Sequence, residues 1–215
     1  MKHIYLFSGI GADERVFQYL DFSGYQTTFI TWLPNENKES IENYTKRLAD
    51  QIKTNNPIFV GLSFGGIVAI EMAKFIKTEK IILIASVKTF DELPLAYRRF
   101  SSLQLHKLLP NWILVRSNFM INWLFGTESK SDRKLLADIL HDTDTVFVKW
   151  AIGKISSWKN TVLHKDLIHI HGTADKLFPF RFVKCDLPVE GGGHFMTVNK
   201  STQLTNLIRQ ALTTK

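Results

Sequence analysis

The chain has 215 residues, 45% of them hydrophobic and 22% charged, a net charge of +7 and a sequence pI near 9.4. That length makes one domain with a substantial buried core, and the balance is that of a soluble globular protein. The basic residues are scattered, which argues against a nucleic-acid partner, and no apolar run is long enough to span a membrane.

One cysteine, Cys185, excludes an intrachain disulfide and fits a reducing compartment. The opening Met1–Phe7 superficially resembles a signal peptide, but its apolar core is short and runs straight into Ser8-Gly9-Ile10-Gly11. It reads as a first strand, and the expected location is cytoplasmic.

In chain order, His3 to Phe7 reads as a buried strand stopped by a glycine turn. Asp13 to Phe17 opens a short helix with acids in its first turn. The β-branched and aromatic stretch Gln26 to Trp32 is a second strand, ended by Pro34. Ser40 caps a helix through Ile41, Tyr44, Leu48 and Ile52. Pro57 to Val60 is a third strand, Ile67 to Ile76 a helix, and Lys80 to Ala85 a further strand. Strands apolar throughout and alternating with helices indicate a parallel sheet covered on both faces. Ligands bind such sheets at the carboxyl ends of the strands, where Gly9, Ser63 and Ser86 fall.

Residues 87 to 160 break the rhythm. They carry four of the five tryptophans and helical patterns at Leu93–Leu109, Asn111–Phe125, Ser131–Leu140 and Thr145–Trp158. Most of these aromatics pack the insert onto the sheet, and an apolar insert at the carboxyl edge also roofs a pocket. The sheet pattern resumes at Leu167–His171, Phe182 to Val189 reads as the last strand with Cys185 inside it, and Asn199 to Leu212 is the closing helix. The division is a core of 1–86 and 161–215 with a helical cap of 87–160.

The chemistry-bearing stretch joins the third strand to its helix: Gly61-Leu62-Ser63-Phe64-Gly65-Gly66. A strand, a sharp turn and a helix are the context of a serine-nucleophile elbow. The flanking glycines let strand and helix pass closely, and the helix N-terminus favours developing negative charge. A serine hydroxyl needs a base to take its proton, and a histidine base needs a carboxylate to fix its tautomer. The chain supplies both in the order Ser63, Asp175, His194. Asp91 and Glu92, after the strand that follows the elbow helix, are alternative acids, and His171 is an alternative base. His169 reads as a core histidine. His3, His106, His141 and His164 show no metal-ligand spacing, so no metal and no cofactor are expected.

The motifs Gly61–Gly66, His171-Gly172-Thr173-Ala174-Asp175 and Gly193-His194-Phe195 resemble those of the α/β-hydrolase superfamily in its small, capped, esterase-like branch. The resemblance covers nearly the whole chain. It implies an α/β fold with a mostly parallel central sheet, helices on both faces, and a helical cap inserted where 87–160 interrupts the strands. It implies oxyanion donors at the backbone N–H of Phe64 and of Ile10. The loop reads Ser8-Gly9-Ile10 where relatives often have a histidine before the glycine, which takes away that loop's usual support. The sheet would also lack the two antiparallel strands that open larger members.

Ser63 excludes the aspartate-dependent dehalogenases and epoxide hydrolases of this fold. What remains is acyl transfer on a small, largely apolar acyl or aryl ester or thioester. C–C bond hydrolysis or a lyase step with the same triad, favoured if basic residues enter the pocket, and a non-catalytic ligand-binding module are the other two readings. Arg98, Arg99 and Arg116 lie in the insert, and Arg116 interrupts an apolar helix, as a snorkelling surface arginine or a partner for a substrate carboxylate. No signal bears on oligomeric state.

Overall fold

Six short strands, most of them apolar runs, all run in one direction. The computed structural model describes residues 1–102 and 116–214. Strands β1 (His3–Phe7), β2 (Gln26–Phe29), β3 (Ile58–Leu62), β4 (Lys80–Ile84), β5 (Leu167–Gly172) and β6 (Leu187–Val189) form one sheet in the order β2-β1-β3-β4-β5-β6. Every neighbouring pair is parallel.

Side chains alternate across the sheet, so the central strands feed two cores. Tyr5, Phe7, Phe59, Ile81 and Leu83 point into a layer holding helices α1 (Ile41–Leu48) and α2 (Phe64–Ala73). Ile4, Leu6, Ile58, Val60, Ile82 and Ile84 point into the opposite layer, where α7 (Ser201–Thr213) packs. Burial on both faces is why these strands read as unbroken apolar runs. Helix α2 is apolar on every side because it lies at the centre of its layer, with Ile67, Val68, Ala69 and Met72 fully buried.

β1 pairs with β2 on one edge and β3 on the other, so the sheet order reverses between β1 and β3. The loops leaving those two strands therefore part company over a crevice, the ligand position of an open α/β sheet.

Between β4 and β5 the described residues form helices α3 (Leu95–Ser102), α4 (Phe119–Phe125), α5 (Lys130–His141) and α6 (Thr145–Ser157), with no strand among them. Ser129 and Asp132 close a reciprocal capping box at the start of α5, and Asn118 and Asp144 cap α4 and α6. The aromatics of this segment divide. Trp150 and Trp158 pack inward: Trp150 sits 4.5 Å from the Tyr44 ring, and the Trp158 indole N–H donates to buried Glu71 on α2 at 2.7 Å. Trp123 stays half in water under the Lys176 ammonium. Trp112 and Val115 fall outside the described residues, as does the expected helical stretch from Leu103 to Leu109.

Three element boundaries differ from the sequence expectations. Strand β2 ends at Phe29; Ile30 still donates to Leu6 O, after which Trp32 turns toward the β1 loop. Helix α1 ends at Leu48 and tightens into a 3-10 turn, leaving Ile52 extended. The expected strand Phe182–Val189 is paired only over Leu187–Val189. Upstream, Pro179 starts a 3-10 turn and the Lys184 N–H donates to the Glu92 carboxylate, so this backbone satisfies itself off the ladder. Cys185 therefore sits half-buried in a loop, with no strand around it.

Candidate active site

The turn after β3 forces Ser63 into φ 54°, ψ −120°, a backbone state that a side chain with a Cβ rarely adopts and that costs on the order of 1–3 kcal/mol. Two glycines make the turn possible. A Cβ on Gly61 would lie 2.5 Å from Gly66 Cα, and one on Gly65 would lie 2.3 Å from Phe7 O. The strained peptide is then pinned. Ser63 N–H donates to Ile84 O at 2.9 Å, and the Ser86 hydroxyl donates to Ser63 O at 2.6 Å.

At this turn the structure brings three distant residues together. Ser63 Oγ lies 2.9 Å from His194 Nε2, and His194 Nδ1 lies 2.8 Å from Asp175 Oδ2. His194 comes from the loop after β6, and Asp175 from the turn after β5. All three are buried. Asp175 Oδ1 accepts the N–H groups of Leu177 and Phe178, which fixes the carboxylate rotamer. Burial works to raise the Asp175 pKa, but the adjacent His194, its hydrogen bond and His171 outweigh it, and the carboxyl lies below its ordinary value. An ionised Asp175 places the proton on His194 Nδ1, so Nε2 presents a lone pair to the Ser63 hydroxyl. The His194 ring stands edge-on between Phe125 at 5.6 Å and Phe178 at 5.7 Å.

The loop after β1 closes the other side. Neither the Ile10 N–H nor the Phe64 N–H has an acceptor among the described residues, and Ile10 lines the same cavity as Ser63. That loop is held by its own hydrogen bonds. Buried Ser8 donates to Ala12 O, and Trp32 donates its indole N–H to Ser8 Oγ at 2.8 Å and reaches Gly9 O at 3.2 Å. From the helical segment, the Thr143 hydroxyl contacts Gly11 O at 2.9 Å, and Arg15 bridges Asp13 and Asp142.

The alternative residues are engaged elsewhere. Asp91 faces water and pairs with Arg98 at 3.7 Å. Glu92 is buried and accepts the N–H groups of Lys88 and Lys184. His171 Nε2 lies 2.8 Å from Phe178 O and so carries a hydrogen; the 3.3 Å contact of its Nδ1 is then donated by His169 Nε2. Burial lowers the pKa of both rings; His171 holds the Asp175 turn through Phe178 O, and His169 holds His171. Arg98 is held by Leu93 O and the Phe90 ring, and Arg99 and Arg116 are exposed.

A cavity of about 410 Å³ opens over Ser63 and His194, lined by side chains of α3 and α6 with Leu177 and Phe178; a second of about 100 Å³ meets it there. No Lys, Arg, Asp or Glu lines either one among the described residues. Among those residues no group of three His, Cys, Asp or Glu side chains is placed to hold a metal ion, and no helix is long and apolar enough to cross a membrane.

No protein-family model matches the chain, and no curated protein matches it in sequence. Solved structures do match it in shape. A thermophilic esterase from Thermogutta terrifontis superposes with a TM-score of 0.74 at 16% identity, over 99% of this chain and 89% of its own. An esterase from Exiguobacterium antarcticum gives 0.72 at 16%, over 99% and 92%, and a bromoperoxidase from Bacillus anthracis gives 0.67 at 17%, over 99% and 92%. The chain has the α/β-hydrolase fold. Within that fold this chain's sheet is wholly parallel over its described strands, beginning with β1.

Several supports of the site carried no signal in sequence. Ser86 and Ser8 are small polar residues at strand ends, indistinguishable there from turn formers. Phe125 and Phe178 sit in apolar stretches that read only as packing. Thr143 precedes α6 in what looks like an N-cap cluster, and only the fold shows it reaching Gly11.

Proposed function

We propose that the chain is a serine hydrolase acting on an ester or thioester of a small, largely apolar acyl or aryl compound. The observation that carries this reading is the unbroken series Ser63 Oγ, His194 Nε2, His194 Nδ1, Asp175 Oδ2, with hydrogen-bond distances of 2.9 and 2.8 Å. The Ser63 hydroxyl transfers its proton to His194 as its oxygen attacks the carbonyl carbon, and Asp175 stabilises the imidazolium. The carbonyl oxygen, now negative, takes the N–H of Phe64 at the α2 N-terminus and that of Ile10 in the loop after β1. His194 returns the proton to the leaving group, and the acyl group stays on Ser63. Water, deprotonated by the same ring, then releases the acid.

The fold neighbours that are esterases favour this class. The cavity wall favours it over C–C bond cleavage or a lyase step, which would call for cations in the pocket, and none lines it among the described residues. Residues 87–160 serve as the cap of a core made by 1–86 and 161–215, since α3 to α6 supply wall to the two cavities. The lone thiol fits a cytoplasmic setting.

Labelling with a fluorophosphonate probe tests the reading directly: Ser63 takes the label, and Ser63→Ala takes none and loses turnover by on the order of 10⁶. A variant hydrolysing esters within tenfold of the parent chain would remove the assignment, and a wild-type chain that neither labels nor turns over would make it a binding module.

A further inference from the structure

The two cavities are unequal and meet at the same atoms. Both are bounded by Ile10, Ser63, Leu177 and His194, so an ester carbonyl seated at Ser63 has one opening on each side. A carbonyl carbon bears its two substituents in one plane, on opposite flanks of the oxygen. Once that oxygen points at the Ile10 and Phe64 N–H groups, the acyl chain enters one cavity and the leaving group the other.

Their capacities differ about fourfold. At roughly 30 Å³ for each water-sized group, the 100 Å³ cavity takes about three heavy atoms and the 410 Å³ cavity about fourteen. The small one cannot expand cheaply. Val16, Leu136 and Ile139 form its wall, all are buried, and Val16 and Ile139 sit within the core layer beneath. Polar atoms of the large one are already engaged, Tyr97 OH with Leu177 O and Ser156 Oγ with Ile152 O. With those hydrogens spent and no charged side chain in the wall among the described residues, this cavity favours an uncharged, largely apolar occupant.

Building on the hydrolase reading above, we infer that the substrate is an asymmetric ester, one side no larger than about three heavy atoms and the other an extended apolar chain or aryl group. Leu136 and Ile139 set the limit on the short side.

Three isomers of identical composition test this on the full chain: decyl acetate, hexyl hexanoate and ethyl decanoate, followed by acid release. One of the two lopsided isomers is expected to be cleaved with a kcat/KM at least about tenfold above hexyl hexanoate, because each methylene refused a buried place forfeits roughly a factor of four. Leu136→Ala is expected to close that gap by raising the symmetric isomer relative to the preferred one. Hexyl hexanoate cleaved as well as either partner by the parent chain would overturn the inference. So would a Leu136→Ala variant that folds, labels with fluorophosphonate and leaves the gap intact. Ethyl acetate separates the two levels. If it is cleaved and Ser63 labels, a failed isomer test sinks only the size rule; if neither occurs, the hydrolase reading falls and takes this inference with it.

Discussion

The Ser8 hydroxyl makes two hydrogen bonds that hold the loop after β1. It lies fully buried at the end of β1, donating to Ala12 O and accepting from Trp32, so the loop carrying Ile10 is tied at both ends. Ser8→Ala leaves the Trp32 N–H with Gly9 O alone and frees the loop. The expected result is a kcat reduced by about tenfold or more, short of the 10²–10³ lost when an oxyanion donor is removed outright, with KM little changed. Steady-state kinetics on one ester checks it; an unchanged kcat would show that the loop holds without Ser8. At this scale the meeting of Ser63, Asp175 and His194 was legible, because each sits in a local motif placed at a strand end, and the structure brings the three within hydrogen-bond distance. The sequence placed Ser8 and Ser86 at the strand ends but was silent about the bonds they make and about Phe178, since a hydrogen bond across 24 positions, as from Trp32 to Ser8, leaves no trace in spacing.

Among the elements, the β3 elbow and α2 depend on close backbone approach. A methyl at position 65 would meet Phe7 O and Ser8 O at 2.3 Å, and both are main-chain atoms, at the end of β1 and in the residue after it. Gly65→Ala is expected to destabilise the protein by about 1–3 kcal/mol or more, a Tm fall of about 2–4 °C for each kcal/mol, read by thermal unfolding. A Tm within a degree of the parent would mean that β1 and α2 can separate without cost. Element types followed from periodicity, because strands buried on both faces and amphipathic helices write different patterns. Element ends did not. The run Phe182–Val189 has strand composition, yet Glu92, 92 positions away from Lys184, claims the N–H that a ladder would need. No local pattern reports a donor taken by a distant side chain.

For the molecule as a whole, two neutral histidines lie in its interior. His169 and His171 are fully buried and burial lowers both pKa values, so the unfolded chain binds more protons than the native one below the ordinary histidine pKa near 6.5. Stability is then complete above about pH 6.5 and falls as pH drops through that value, by up to about 1.4 kcal/mol per pH unit for each ring. Urea midpoints measured between pH 7.5 and 5.5 are expected to decline accordingly, and His169→Gln to flatten the decline. A midpoint independent of pH across that window would contradict the neutral-pair assignment.

The histidine loop and helix α4 are stitched together. Phe195 N–H donates to Phe125 O at 2.8 Å, Asn199 Nδ2 donates to Gly126 O at 2.8 Å, and a Cβ built on Gly193 would lie 3.1 Å from Gly126 Cα. Helix α4 therefore cannot swing clear of the crevice while leaving His194 behind: either those bonds break or the ring is dragged off Ser63. On the hydrolase reading proposed above, access and proton transfer are mechanically interlocked: a molecule with α4 lifted from the crevice has also lost the geometry of its base.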